Sequence, residues 1–297
     1  MKKYAGYLIV SDLDGTLIDS KQGISKHNID AISSFIDNGG LFAVATGRTE
    51  LNVLPYIKHI RVNCPCILYN GAMIYDINNN AYIKSVFLNK TQLLEPLKEI
   101  LEKYESLCMQ IFVQGKMYIV SGKDNIDPLV IKESQSYEVV HIDDIINEKW
   151  VKLLFADTNH NLQQVQQFLH NRMPTGTIHS VFSTSTYLEL FTSGVSKGSM
   201  LEYLIEITGV KRERVIAIGD YCNDIEMIKA AGLGVATGNA HLLLKETANI
   251  TTVSNDEHAI YNLINKILPV HANMLDKNKV LHFTDEKNDC IKRPMTM

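Results

Sequence analysis

Tyr7-Leu8-Ile9-Val10-Ser11-Asp12-Leu13-Asp14-Gly15-Thr16-Leu17 is the stretch that decides the fold. A short apolar run that stops at two carboxylates and a glycine reads as a buried parallel strand delivering acidic side chains to a loop. In an open α/β sheet, ligands sit beyond the carboxyl ends of the strands, so Asp12 and Asp14 are expected to project from the sheet edge into a crevice. Neighbouring carboxylates repel each other unless a cation or a shared proton relieves them, and hard oxygen ligands of this sort suit magnesium. The plainer alternative for an isolated Asp-x-Asp is a loop or a helix cap.

Working outward, similar apolar runs lie at Leu41 to Ala45, Cys66 to Tyr69, Val215 to Ile218 and Leu233 to Ala236, each bounded by turn residues. Helical patterns alternate with them. Ile29, Ile32 and Ile36 share one face before Gly39-Gly40, and Leu201, Leu204 and Ile205 share another before Gly209. The alternation predicts an α/β fold with a doubly wound, mostly parallel sheet of the Rossmann-like kind. Between its halves the pattern changes. Gln110 to Val113 and Met117 to Val120 alternate like half-buried strands, and helices are expected near Lys90 to Tyr104 and Asn161 to His170. The expected organisation is a discontinuous core of residues 1–82 and 190–270, an inserted α+β domain of residues 83–189, and a polar tail of residues 271–297. That tail, with His271, Asp276, Lys277, Asn278, Asp285 and Lys287, is expected to be loosely ordered.

Composition narrows the partners. In 297 residues, 45% are apolar and 21% charged, which is ordinary globular usage. Lys and Arg number 29 against 33 Asp and Glu, a formal charge of -4, and no long basic run offers itself to a phosphate backbone. Nucleic acid is therefore not expected. The run from Tyr4 to Val10 is too short for a signal-peptide core or a membrane span. Cys64, Cys66, Cys108, Cys222 and Cys290 show no paired zinc-type spacing and read as reduced thiols, so the expected setting is the cytoplasm. A monomer or weak homo-oligomer is expected.

Other strand ends carry chemistry too. The run at Leu41 leads into Thr46-Gly47-Arg48, where a hydroxyl and backbone amides can meet an anionic oxygen; Thr46 as a helix cap, with Thr49 as its rival, is the alternative. The run at Val215 leads into Gly219-Asp220-Tyr221-Cys222-Asn223-Asp224. Asn223 or Asp224 can be a helix cap, whereas Asp220 precedes any cap position. Lys197 stands at the start of a helix, where a cation opposes the helix dipole unless an anion such as phosphate lies nearby. Asn70-Gly71 ends the third strand and is either an ordinary turn or a substrate contact. Gly232-x-Gly234-x-x-x-Gly238 is one residue too long for a dinucleotide fingerprint and follows a helix.

Taken together, Asp12-x-Asp14-Gly15-Thr16, Thr46-Gly47-Arg48, Lys197-Gly198 and Gly219-Asp220-x-x-Asn223-Asp224, in that order, resemble a haloacid dehalogenase superfamily phosphatase, specifically its Cof-type branch with an α/β cap. The resemblance covers the chain to about Val270. It implies a magnesium-dependent phosphoric monoester hydrolase acting on a small phosphorylated metabolite, a sugar phosphate or phosphorylated cofactor, through an aspartyl-phosphate. In that reading Asp12 is the nucleophile and Asp14 the general acid and base. Thr46, Gly47, Lys197 and Asn223 hold the phosphoryl group; Asp12, Asp14 (through its carbonyl), Asp220 and Asp224 hold or support Mg2+. Arg48, Asn70 and Gly71 are candidate substrate contacts. The insertion corresponds to the family's cap, which closes over the site. An acid at position 14 favours phosphatase or phosphomutase over the superfamily's ion pumps, which carry threonine there. The alternatives are a sugar phosphomutase and a regulatory binding protein that keeps the pocket without turnover.

Overall fold

The computed structural model describes residues 2–132 and 136–276. Five strands come first: β1 (Leu8–Asp12), β2 (Leu41–Ala45), β3 (Cys66–Leu68), β4 (Met73–Asp76) and β5 (Ala81–Ser85), with α1 (Lys26–Asp37) and α2 (Glu50–Ile57) between the earliest of them. A second sheet follows, made of β6 (Cys108–Val113), β7 (Lys116–Ile119), β8 (Glu138–Val139), β9 (Lys152–Ala156), β10 (Ile178–Thr184) and β11 (Tyr187–Thr192), with α3 (Lys90–Lys103), α4 (Pro128–Lys132) and α5 (Asn159–Arg172). The chain then returns through α6 (Lys197–Thr208), β12 (Val215–Gly219), α7 (Ile225–Ala230), β13 (Leu233–Ala236), α8 (Leu242–Thr247), β14 (Ile250–Thr251) and α9 (Ala259–Asn262).

The first sheet has the order β14-β13-β12-β1-β2-β3-β4-β5, parallel from β14 to β3 and antiparallel beyond. β1 is central and wholly buried, because its two faces serve different cores. Ile9 packs with Phe42, Val44 and Ile216 on one side, whereas Leu8 and Val10 pack with Ala43, Ala45 and Val215 on the other. Successive strand residues point to opposite faces, so continuous apolar runs are what a sheet covered on both sides demands. α1 is capped by the Ser25 hydroxyl, which accepts from the Asn28 amide, and buries Ile32, Phe35 and Ile36. α6 is capped by Ser196 and ends at Gly209 in the left-handed conformation. The expected doubly wound α/β architecture is thus the one found.

The second sheet has the order β10-β11-β9-β6-β7-β8 and is antiparallel except between β7 and β8. One face is covered by α3 and α5, whose Leu93, Leu97, Leu162 and Val165 pack on Leu153, Phe155, Leu188 and Leu190. The other face carries Gln110, Lys152 and Glu189, which line a cavity shared with the first sheet. β6 is therefore buried along its whole length rather than alternating with solvent. β5 pairs with β4 as far as Ser85, and β11 runs to Thr192, so cuts at 82 and 190 fall inside these strands.

The C-terminal segment differs from expectation. Residues 268–276 are helical, with a π turn at Leu263–Ile267 just before Pro269, whose missing N–H cannot serve a regular turn. Ala272 and Leu275 pack on the core, and His271 Nε2 lies 2.9 Å from the Glu213 carbonyl oxygen. His271 and Asp276 thus belong to an ordered helix with an apolar stripe that their polar neighbours obscure. Lys277, Asn278, Asp285 and Lys287 lie outside the described residues.

Candidate active site

The order β12-β1-β2 brings three strand ends side by side, and with them Asp220, Asp12 and Thr46. This is the place where the chain's crossovers diverge to either side of β1, the usual ligand crevice of such a sheet. Oxygen atoms of Asp12, Asp220 and Asp224 all lie within 4.8 Å of one another. Gly15 makes the approach possible: its φ is +78°, and a Cβ there would occupy the space of the Asp220 carboxylate.

Lys197 is the counter-charge. Its ammonium is fully buried and donates to Asp12 Oδ1 at 2.6 Å and to Asp224 Oδ1 at 2.7 Å. Burial alone would lower its pKa, but the Asp12 and Asp224 carboxylates outweigh that and hold it above the ordinary lysine value. A cation at the first turn of α6 is thereby explained, with carboxylates supplying the anion. Asp224 Oδ2 also accepts from the Asp220 and Tyr221 amides, so this side chain braces the loop after β12 rather than capping α7. Asp220 accepts from the Thr16 hydroxyl at 3.1 Å.

Three carboxylates exceed what one lysine neutralises. Burial drives the Asp12 carboxyl well above its usual range; Lys197 opposes this, while Asp224, Asp220 and Asp14 add to it. Burial, then the Asp224 charge, raises Asp220 to about 6. Asp12 Oδ2 is buried and has no hydrogen-bond partner among the described residues. An orphaned carboxylate oxygen beside two further carboxylates, all hard oxygen donors, fits a divalent cation such as Mg2+.

The remaining candidates separate. Thr46 and Gly47 line the cavity above Asp12. The Thr46 hydroxyl accepts from the Arg48 amide, and the cap of α2 is Thr49, which settles the rivalry between the two threonines. The Arg48 guanidinium donates twice to Asp14, at 2.8 and 2.7 Å, and stacks over Tyr56. The Asp14 side chain accordingly points to Arg48 and stands apart from the three-carboxylate group. Asn70 lines the cavity, accepting from Asn223 Nδ2 and donating to Glu189. Gly71 does not line it. With φ +105° and the Ser196 and Lys197 backbone against it, Gly71 instead lets the start of α6 close in on the third strand's end.

The second sheet supplies residues that the motifs did not flag. Lys152 and Glu189 form an ion pair of 3.1 Å that is almost fully buried, and Lys152 also donates to the Gly47 carbonyl. Glu50 is buried too, accepting from Tyr69 and Tyr82 hydroxyls and from the Gly115 amide of the β6–β7 turn. The available signal was a single charge within an apolar run, as in Trp150-Val151-Lys152-Leu153-Leu154 and Leu188-Glu189-Leu190. The cavity enclosed by both sheets measures about 500 Å3, the size of a small-molecule site.

Residues 9–264 match the family model of haloacid dehalogenase-like hydrolases, and the chain belongs to that family. It is 26% identical over 255 residues to the 5-amino-6-(5-phospho-D-ribitylamino)uracil phosphatase YitU of Bacillus subtilis, covering 86% of this chain and 94% of that enzyme. It is 28% identical over 278 residues to the pyridoxal phosphate phosphatase YbhA of Escherichia coli, covering 86% and 97%. The solved structure of a haloacid dehalogenase-like hydrolase from Bacteroides thetaiotaomicron superposes with a TM-score of 0.76 at 30% identity, covering 88% of this chain and 99% of that one. Family and relatives together meet the expectation of a Cof-type phosphatase of this superfamily. Among the described residues no helix is long and apolar enough to cross a membrane.

Proposed function

We propose that the protein is a magnesium-dependent phosphatase of a small phosphorylated metabolite, working through a phosphorylated Asp12. The observation that carries this is the unpartnered Oδ2 of Asp12, facing Asp220 and Asp224 and backed by Lys197. Asp12 and Asp220 would hold Mg2+, with Asp224 and the Asp14 carbonyl in support. Bound there, Mg2+ would screen the carboxylates and withdraw charge from the phosphoryl oxygens.

In the first half-reaction Asp12 attacks phosphorus, and the bond to the leaving oxygen breaks as Asp14 gives that oxygen a proton. In the second, Asp14 takes a proton from water, whose oxygen displaces Asp12 from phosphorus. Thr46, the Gly47 backbone and Lys197 meet the charge spread over the phosphoryl oxygens, which is where most of the rate advantage of such a site arises. Arg48 keeps Asp14 engaged at rest, so the leaving group must displace at least one of its hydrogen bonds. The second sheet acts as a cap that excludes water and contacts the leaving group, with residues 83–189 as its approximate extent. Its relatives' substrates, a ribitylaminouracil phosphate and pyridoxal phosphate, support a phosphorylated metabolite of that size. Four free thiols among the described residues, three of them buried, suit the cytoplasm.

The test is release of phosphate from p-nitrophenyl phosphate by the wild type and by Asp12→Asn, each with Mg2+ or with EDTA. Turnover is expected only from the wild type with metal. Equal turnover by Asp12→Asn would remove the nucleophile assignment, and turnover indifferent to EDTA would remove the metal.

A further inference from the structure

Among the described residues, most charges that line the cavity stand beside an opposite charge. Arg48 is engaged by Asp14, and Lys152 by Glu189. Asp12 and Asp220 belong to the group around Lys197. Asp127, just before α4, is left over: it is only 8% exposed, lines the cavity, and among the described residues forms no ion pair with a lysine or arginine. Its Oδ1 accepts from the Leu129 amide at 3.0 Å, while Oδ2 has only a long 3.4 Å approach from the Gln110 amide group. Gln110 is itself 2% exposed and lies in register with Leu154, which pairs on its other side with Glu189. The cap wall thus presents a buried carboxylate with an under-used oxygen and a buried amide, and among the described residues that line this cavity no uncommitted cation.

A buried carboxylate without a cation costs free energy that a donor-bearing ligand offsets, whereas a second carboxylate brought beside it meets repulsion. We propose that Asp127, together with Gln110, selects the leaving group, favouring neutral or cationic groups rich in O–H or N–H donors and rejecting those that carry a carboxylate. The assignment rests on the phosphatase reading and adds to it the chemistry of the group being released. A second cavity of about 570 Å3 shares Asp127, Leu129 and Tyr187 as walls, so the leaving group has room to extend past Asp127. Lys132 on that farther wall is exposed and accompanied by Asp124 and Asp157, which keeps the excess of negative charge there too.

The experiment compares kcat/KM for ribitol phosphate, a neutral hydroxyl-rich leaving group, with that for phosphoglycolate, a carboxylate-bearing one. The wild type is expected to prefer ribitol phosphate by about tenfold or more, and Asp127→Asn to lose about tenfold or more of that preference. Gln110→Leu is expected to lower the same ratio. A wild type that hydrolyses phosphoglycolate as well as ribitol phosphate overturns the assignment even if neither variant folds. An unchanged ratio in a folded Asp127→Asn protein overturns it as well. Wild-type turnover of p-nitrophenyl phosphate separates the two levels: its absence removes the phosphatase reading and this assignment with it, whereas turnover with an unaltered ratio removes the assignment alone.

Discussion

Replacing Lys197 by methionine keeps an unbranched side chain, shorter by the terminal nitrogen, and removes its charge, and the consequences follow from the two carboxylates it serves. Both Asp12 and Asp224 are nine-tenths buried or more, and each directs Oδ1 at the lysine nitrogen. Removing one partner of a buried ion pair costs about 3–5 kcal/mol, because the charge left behind has neither water nor a counter-ion. With an m-value of about 3 kcal/mol/M, a loss of ~4 kcal/mol lowers the urea midpoint by about 1 M. The loss depends on pH with a definite sign. Asp12 already titrates above its unfolded value through burial, and losing Lys197 removes the main influence opposing that shift. A carboxyl raised in the folded state contributes stability below its unfolded pKa and loses it as pH rises through its folded pKa. Lys197→Met should therefore be most destabilised at neutral pH in EDTA and recover at acid pH, as Asp12 takes up a proton. Phosphate release should fall by a factor of about 10²–10³, the scale for losing one transition-state contact of this kind. Urea unfolding at the two pH values is the assay. Wild-type stability of the variant in EDTA at both would refute the claim that Lys197 neutralises this cluster.

For Asp220, a folded value of about 6 against an ordinary 3.8 means that its stabilising share is complete below the lower figure and gone above the higher. That share amounts to as much as ~3 kcal/mol, and Mg2+ should accordingly raise Tm more at about pH 7 than at about pH 5; calorimetry showing equal shifts would contradict it. Gly15→Ala should weaken Mg2+ activation by about tenfold or more, the scale for displacing a group around a metal, with circular dichroism unchanged. Unaltered Mg2+ activation would mean that Asp220 does not need the space Gly15 leaves. Glu50→Gln should cost about 2–3 kcal/mol through its charge-assisted hydrogen bonds and speed amide exchange at Gly115, and protection as strong as in the wild type would count against Glu50 as the tie between α2 and the β6–β7 turn.

Legibility followed the range of the interactions. β1, β2 and β12 can be read because a strand covered on both faces must be apolar at every position, and the carboxylates beyond their ends interrupt that run sharply. Thr49 as the cap of α2 is a local matter and was one of two candidates in view. The Lys152–Glu189 pair could not be read in the same way, since the partners lie 37 residues apart on adjacent strands and each has only apolar neighbours in sequence. The cavity explains both: these residues face it from the side of the second sheet opposite its helices. Asp224 illustrates the reverse limit. Its place in the motif was evident, yet only the folded chain reveals that its oxygens are taken by Lys197 and two backbone amides. Similarly, nothing local distinguishes Asn70, which reaches the cavity, from Gly71, whose lack of a side chain admits the backbone of α6.

The site's electrostatics also explain why its parts come from distant segments. A single strand-end loop could gather several carboxylates, but it could not supply the buried cation that makes them tolerable in the fold. Here β1 contributes Asp12, the loop after β12 contributes Asp220 and Asp224, and α6 brings Lys197 in from 185 residues beyond Asp12. Lys197 satisfies one oxygen of Asp12 and one of Asp224, and backbone amides take the other oxygen of Asp224. Among the described residues, Asp12 Oδ2 is left buried and without a hydrogen-bond partner. A fully compensated cluster would be more stable and would have nothing to offer a metal or a phosphoryl group. The Asp12 oxygen left without a partner is thus a point at which folding stability is given up for chemistry.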